Sequence, residues 1–167
     1  MADKTQNIRL YLDLQNTITA KNVPNQDALH LWAKSALLNN DHDEYELTLR
    51  IVDKDEIRSL NKDYRHKDKT TNVLSFPYED FPISLPEDMV NDNNISLLGD
   101  IVICHDIVLQ EAQQQNKSLE DHWAHLVVHG VLHLQAYDHI EEEEAQLMES
   151  LEVAILKKLN IANPYQA

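Results

Sequence analysis

The stretch SLEDHWAHLVVHGVLHLQAYDH, residues 118–139, decides which fold we expect for this chain. Its apolar side chains recur every three or four residues, which predicts a long helix with one buried face. Ser118 is a suitable N-cap, and Asp121 three residues later can complete a capping box. The apolar stripe consists of Leu119, Trp123, Leu126, Val127, Val131 and Leu134. We therefore expect the other elements to be arranged around this central helix.

The same stretch contains five of the nine histidines of the chain, at positions 122, 125, 129, 133 and 139. On a helix that advances about 100° per residue, the first four fall within an arc of roughly 80°. A polar helix face that happens to be rich in histidine is the simplest interpretation. Four histidines on one stripe, followed by a fifth just after it, instead favour a metal site.

Helix geometry limits which histidines can share one ion. His125 and His133 are about 12 Å apart along the axis, whereas nitrogens that bind one zinc ion lie within about 4 Å of each other. The ion could therefore take His125 with His129, or His129 with His133, and a third ligand from elsewhere. His139 lies just past the helix and can return toward His133, which favours His129, His133 and His139. We then expect His122 and His125 on the helix surface or beside the site.

The spacing H-x3-H-x5-H matches the metzincin peptidase pattern H-E-x-x-H-x-x-G-x-x-H. Gly130 stands here in place of the glutamate that serves those peptidases as general base. Without that carboxylate, peptide hydrolysis lacks its proton acceptor. The pattern therefore keeps a metal site, with a position open to water, and argues against a peptidase.

Composition indicates an ordinary globular protein of one domain, residues 1–167, with 43% apolar and 26% charged residues. No apolar run approaches the ~20 residues that span a bilayer, and the N-terminus does not resemble a secretory signal. The single cysteine, Cys104, excludes an internal disulfide and is expected in the core. We expect a cytoplasmic protein without a membrane partner.

Charge is unevenly distributed along the chain. The net charge is −15, from 29 acidic and 14 basic residues, which argues against tight non-specific binding to nucleic acid. Half of the basic residues, however, lie within residues 50–69, and none occurs in residues 70–116. Lys54, Arg58 and Lys62 in this window lie four residues apart, which on a helix is one face. That face is either simply solvated or a means of guiding an anionic ligand.

Hydrophobic periodicity predicts the remaining elements. Alternating or continuous apolar runs predict strands at residues 8–14, 44–53, 72–76 and 97–104. Helical spacing predicts helices at residues 25–38, 55–64, 105–115 and 142–159, and residues 78–96 are expected to form a surface loop. This order predicts one small sheet with helices packed on it.

Three stretches together resemble one known family. HGVLHLQAYDH, residues 129–139, is similar to the H-G-x-L-H-L-x-G-Y-D-H signature of the YbeY family of metal-dependent endoribonucleases. LNKDYRHKDKTTNVLSFP, residues 60–77, and LLGDIVIC, residues 97–104, resemble two further signatures of that family. Ala136 departs from the family glycine, and an alanine in a left-handed turn there costs on the order of 1 kcal/mol.

The resemblance implies a fold, a site and a function. The fold would be α+β and zincin-like, a four-stranded mixed sheet with about five helices. One Zn²⁺ would be bound by His129, His133 and His139, and Arg65 would be the catalytic arginine. The activity would be single-strand-specific cleavage of RNA, in maturation of the small-subunit 3′ end of ribosomal RNA and in ribosome quality control. Partners would be ribosomal RNA and the small ribosomal subunit with its proteins, and not DNA.

Two alternatives remain open on the sequence alone. The chain could be a ribosome-assembly binding factor whose metal site is structural, since an acidic protein can gain affinity from a protein partner on the ribosome. A zincin-type peptidase is the second alternative, which Gly130 weakens.

Overall fold

The computed structural model describes residues 8–38, 42–78, 95–135 and 142–165, and within these ranges it contains four strands and five helices. In chain order they are β1 (Arg9–Asn16), α1 (Gln26–Ser35), β2 (Glu44–Val52), α2 (Lys54–Arg65), β3 (Val73–Pro77), β4 (Ile95–Cys104), α3 (His105–Gln114), α4 (Leu119–Leu134) and α5 (Glu142–Lys158). The predicted α+β class, with a four-stranded mixed sheet and five helices, is confirmed.

The sheet has the strand order β1-β2-β4-β3. β1 pairs with β2, and β2 with β4, in parallel, whereas β3 runs antiparallel to β4. β3 is therefore an edge strand, next to a strand that follows it in the chain. β4 begins at Ile95, two residues earlier than predicted, and most of the expected loop before it lies outside the described residues.

Polar side chains fix the starts of three helices by accepting a backbone N–H. Asn25 caps α1 through the amide of Ala28, as the sequence predicts. Ser118 caps α4 through the amide of Asp121 at 3.1 Å, also as predicted. Asp53 does the same for α2. Each cap satisfies one of the free amides in the first turn of its helix.

The two faces of the sheet pack against different helices, because successive residues of a strand point to opposite sides. Ile101 and Ile103 of β4 belong to the larger core, which includes the apolar residues of α1, α4 and α5. Val102 and Cys104 belong to a smaller core with Ile57 of α2. β4 is therefore covered on both faces, as its apolar run predicts, and Cys104 is fully buried.

α4 lies at the centre of the larger core. Trp123, Val127 and Val131 of its predicted stripe are fully buried. A Cβ atom at Gly130 would lie 2.9 Å from Cδ1 of Ile101, so this position faces the sheet at close range. A glutamate at Gly130 would therefore point into packed side chains, away from the histidines.

β4 contains a bulge that only glycine accommodates. The pairing with β2 passes from Leu97 to Gly99, so that Leu98 is the extra residue. Gly99 has φ +135°, and a Cβ atom there would lie 2.2 Å from the carbonyl oxygen of Phe76. Asp100, immediately after the bulge, is set on the face of the sheet that α2 covers.

No helix in the described part of the chain is long and apolar enough to cross a membrane.

Candidate metal centre

His129 and His133 lie one turn apart on α4 and face each other. Their Nε2 atoms are 3.0 Å apart, and their rings meet edge to face with centroids 4.5 Å apart. This separation is within the ~4 Å that two nitrogens bound to one zinc ion require. The structure therefore brings together the pair of helical histidines that the sequence predicts.

Glu152 of α5 approaches the same pair from the neighbouring helix. Its side chain is fully buried, and its Oε1 lies 2.5 Å from Nδ1 of His129. Its Oε2 lies 3.2 Å from Nε2 of His125 and accepts a hydrogen bond from the hydroxyl of Tyr165. Both carboxylate oxygens are thus used, which offsets the cost of burying the charge.

The ionisation of Glu152 determines which nitrogen of His129 carries a proton. Burial by itself raises the pKa of the Glu152 carboxyl. Hydrogen bonds from His125 and His129, with a smaller contribution from Tyr165, outweigh this effect and lower the pKa to about 2. An ionised carboxylate only accepts, so Nδ1 of His129 must donate to it. Nε2 of His129 then presents its lone pair toward His133, which is the orientation that a metal ligand needs.

Tyr165 completes the hydrogen bonding of this buried carboxylate. Burial and the hydrogen bond to Glu152 both raise the pKa of the Tyr165 hydroxyl, so the phenol keeps its proton and donates. Its oxygen is also 3.3 Å from Nε2 of His125. The segment that follows α5 is thereby joined to the helix of the histidines.

A second set of ligand atoms lies on the other side of His129. One nitrogen each of His125 and His129 and one oxygen of Glu152 lie within 4.8 Å of one another, so this cluster could also hold an ion. The distance of 2.5 Å between Nδ1 of His129 and Oε1 of Glu152, however, is that of a short charge-assisted hydrogen bond. Two atoms bonded to one zinc ion at about 2.1 Å in tetrahedral geometry lie farther apart. This geometry favours Glu152 as the residue that orients His129 rather than as a ligand.

The other predicted site residues differ in where they fall. His139, the predicted third ligand, and Ala136 lie outside the described residues. Arg65 is the last residue of α2 and is exposed. α2 packs on the face of the sheet opposite to α4, and Tyr64, next to Arg65 in the chain, contacts Phe76 of edge strand β3.

His122 is buried and so is not on the helix surface, which was one of the two positions expected for it. Its side chain is 4% exposed, and its Nε2 lies 3.0 Å from Oε1 of Glu111 in α3. Glu111 also accepts a hydrogen bond from the amide of Asn72. The surface interpretation failed because α3 packs beside this turn of α4. His125, in contrast, lies beside the site, the other position expected for these two histidines, where it contacts Glu152.

Glu152 is the site residue that sequence reasoning missed. The buried positions of α5 are Met148, Glu152, Ile155 and Leu156, which form one helical stripe. A carboxylate within an otherwise apolar stripe has to be paired with a donor when it is buried. This mismatch was visible in the sequence, although it does not identify the partner.

The fold is an α+β fold whose central helix carries two converging histidines, and a buried carboxylate orients one of them. These features define a protein with a candidate hydrolytic metal centre. The chain belongs to the YbeY family, because the family model described as endoribonuclease YbeY matches residues 13–160. The endoribonuclease YbeY of Colwellia psychrerythraea is 47% identical over 157 residues, which cover 92% of this chain and 96% of that protein. The solution structure of TM1509 from Thermotoga maritima is 23% identical, with a TM-score of 0.49 over 95% of this chain and 99% of that one.

Proposed function

We propose that this protein is a metal-dependent endoribonuclease that cleaves single-stranded RNA, and that it acts in maturation of the small-subunit 3′ end of ribosomal RNA and in ribosome quality control. Membership of the YbeY family and the name of the Colwellia relative support cleavage of RNA. The structural observation that carries the proposal is the 3.0 Å approach of Nε2 of His129 and Nε2 of His133, with Nδ1 of His129 held by Glu152.

The residues present fit a zinc ion. His129 and His133 would bind it through Nε2, and His139 is the proposed third ligand, with a fourth position open to water. The chemistry that a bound zinc ion would supply is polarisation of a phosphoryl oxygen and a lowered pKa of bound water. Glu152 keeps His129 in the tautomer that binds, and His125 and Tyr165 keep Glu152 in place.

Arg65 is proposed to bind the phosphate that is cleaved and to stabilise the negative charge that grows on it, because a guanidinium is planar and permanently charged. β3 forms an edge of the sheet, where the face covered by α2 and the face covered by α4 meet. Ser75 points toward Gly130 of α4, whereas Phe76 points to the α2 face. We propose that a strand of RNA crosses this edge and contacts both the histidines and Arg65.

Cleavage of single-stranded RNA by the wild type and by His133→Ala and Arg65→Ala tests the proposal. We expect both variants to lose most of the turnover while they keep the circular dichroism spectrum and unfolding transition of the wild type. Lys34→Ala in α1, on the other side of the molecule from α2, is the matched control for loss of a basic residue. Undiminished turnover of His133→Ala with excess chelator would exclude the metal mechanism.

The acidic charge of −15 favours one alternative, a ribosome-assembly factor whose metal is structural. Removal of the metal separates the two proposals. If the metal-free protein unfolds, a structural role of the metal is supported. If it stays folded and binds ribosomes but no longer cleaves RNA, the enzyme is supported. Peptidase activity is disfavoured further, because Gly130 faces Ile101 rather than the histidines.

A further inference from the structure

A groove of about 410 Å³ lies on the face of the sheet that α2 covers, away from His129 and His133. Its volume is within the range of about 300–1,000 Å³ that is usual for small-molecule sites. Val102 of β4 and Leu60 of α2 form apolar parts of its lining. The metal centre does not use this groove.

One wall of the groove is aromatic. Tyr64, in the last turn of α2, is 65% exposed, which is unusual for so large a ring. It meets Phe76 of β3 edge to face, with ring centroids 5.2 Å apart at 66°. Phe76 is half-buried in the small core and so holds the tyrosine ring in a defined position. A fixed ring with one open face is what base-stacking sites of single-strand-binding proteins offer.

The rest of the lining is polar, and its uncompensated charge is negative. Arg50 is neutralised within this lining by Glu56, which binds its Nε at 2.5 Å and its second terminal nitrogen at 3.1 Å. Gln15 accepts a further hydrogen bond from Arg50. Asp100, which the bulge at Gly99 sets on this face, is exposed and contributes a carboxylate to the lining. The groove therefore suits a ligand that donates hydrogen bonds, rather than a phosphate.

Positive charge lies next to this groove instead of inside it. Lys62 and Arg65 are in the same last turn of α2 as Tyr64. They belong to the basic window of a chain that is otherwise strongly acidic. If a base stacked beside Tyr64, the backbone phosphates of the same RNA strand would therefore lie close to basic side chains.

We propose that the groove binds one nucleobase of single-stranded RNA, stacked on Tyr64 and donating hydrogen bonds to Asp100. Guanine fits best, because its N1–H and N2–H₂ are adjacent donors that match the two oxygens of a carboxylate. This subsite rests on the proposed function and gives it a base preference. Tyr64 and Asp100 are binding residues here, on the far side of edge strand β3 from the metal centre.

Equilibrium binding of fluorescent 2′-O-methyl pentanucleotides to the full chain tests this subsite, with the integrity of each probe checked on a gel afterwards. The probes are UUGUU, UUAUU and UUUUU. We expect UUGUU to bind the wild type most tightly. Tyr64→Ala should weaken that binding by about 5-fold to 150-fold, the range for the loss of one stacked base, whereas Tyr64→Phe should stay within about twofold. Asp100→Asn should remove the preference for UUGUU.

Matched controls are Leu31→Ala and Asp27→Asn, exposed positions on α1 at the other face of the sheet, which should bind as the wild type does. Equal affinity of the wild type for all three probes, or unchanged affinity of Tyr64→Ala, would overturn the proposal. If Tyr64→Ala kept its affinity for RNA but lost binding to a purified ribosomal protein, the proposal would also be overturned, and the groove would be a protein-docking surface. His133→Ala should keep the preference for UUGUU, so failure of RNA cleavage and failure of this subsite are separate results.

Discussion

Oε1 of Glu152 lies 2.5 Å from Nδ1 of His129, across the contact between α5 and α4. This hydrogen bond connects a residue that the motif does not contain to one that it does. It assigns the proton of His129 to Nδ1 and leaves Nε2 directed at Nε2 of His133. The candidate metal centre is therefore organised by the packing of two helices as well as by the spacing of histidines.

Glu152→Gln should weaken the binding of zinc. The amide keeps the shape of the side chain but removes the negative charge that holds the Nδ1 proton of His129, and loss of such an orienting partner typically costs about 10-fold to 100-fold in metal affinity. Competition with a chromogenic chelator measures the zinc Kd directly. Glu143→Gln, at an exposed position in the first turn of α5, is the control and should leave the Kd unchanged. Equal affinity of Glu152→Gln and the wild type would exclude an orienting role.

Tyr165→Phe should lower the free energy of unfolding by about 1.5–3 kcal/mol, the range for a hydrogen bond to a charged group. The variant removes the hydroxyl that donates to the buried Oε2 of Glu152. Tyr11→Phe is the matched control, because Tyr11 donates at 3.3 Å to Glu44 in an exposed setting, and we expect a change of less than about 0.5 kcal/mol. Urea denaturation measures both variants, and equal losses would contradict the special role of Tyr165.

Acid should destabilise the metal-free protein partly through Glu152. The pKa of this carboxyl is lowered from 4.5 to about 2 in the folded state, so its contribution is complete above pH 4.5 and is lost as the pH falls toward 2. The full difference corresponds to roughly 3 kcal/mol. Urea denaturation between pH 6 and pH 2.5 should therefore show a shallower loss of stability for Glu152→Gln than for the wild type. Parallel curves would show that Glu152 does not titrate with a lowered pKa.

Gly99→Ala should destabilise the fold by more than about 3 kcal/mol, because the new Cβ would lie 2.2 Å from the carbonyl oxygen of Phe76 and the backbone has φ +135°. Gly130→Ala is the informative comparison. The three atoms nearest to its Cβ would all belong to the side chain of Ile101, from 2.9 Å outward, and a side chain can move more easily than backbone. Denaturation should rank Gly99→Ala as clearly the more harmful, and the reverse order would contradict the assignment of the bulge.

Much of the fold is predictable from local pattern. The four strands, the five helices and the caps at Asn25 and Ser118 follow from periodicity and from residue types that satisfy free amides. Helix geometry restricts the histidine pair to His125 with His129 or His129 with His133, and the place of His139 just past the helix favours the second. These features depend on residues that are close in the sequence.

What the sequence did not reveal depends on which elements pack together. His122 was expected at the surface or beside the site, but α3 brings Glu111 against it. Glu152 and Tyr165 reach the histidines from positions 23 and 36 residues after His129, and no local pattern identifies such a partner. The groove under α2 combines residues from all four strands and one helix. The zincin-like character of the fold and the roles of Arg65 and His139 stay predictions.

The position of the metal is the most direct test of the central claim. A crystal structure of the zinc-loaded protein, with anomalous data collected at the zinc edge, locates the ion without reference to any assumed ligand. We predict one anomalous peak about 2.1 Å from Nε2 of His129, Nε2 of His133 and a nitrogen of His139, with Nδ1 of His129 still bonded to Glu152. A peak between Nδ1 of His129, His125 and Glu152 would contradict this account.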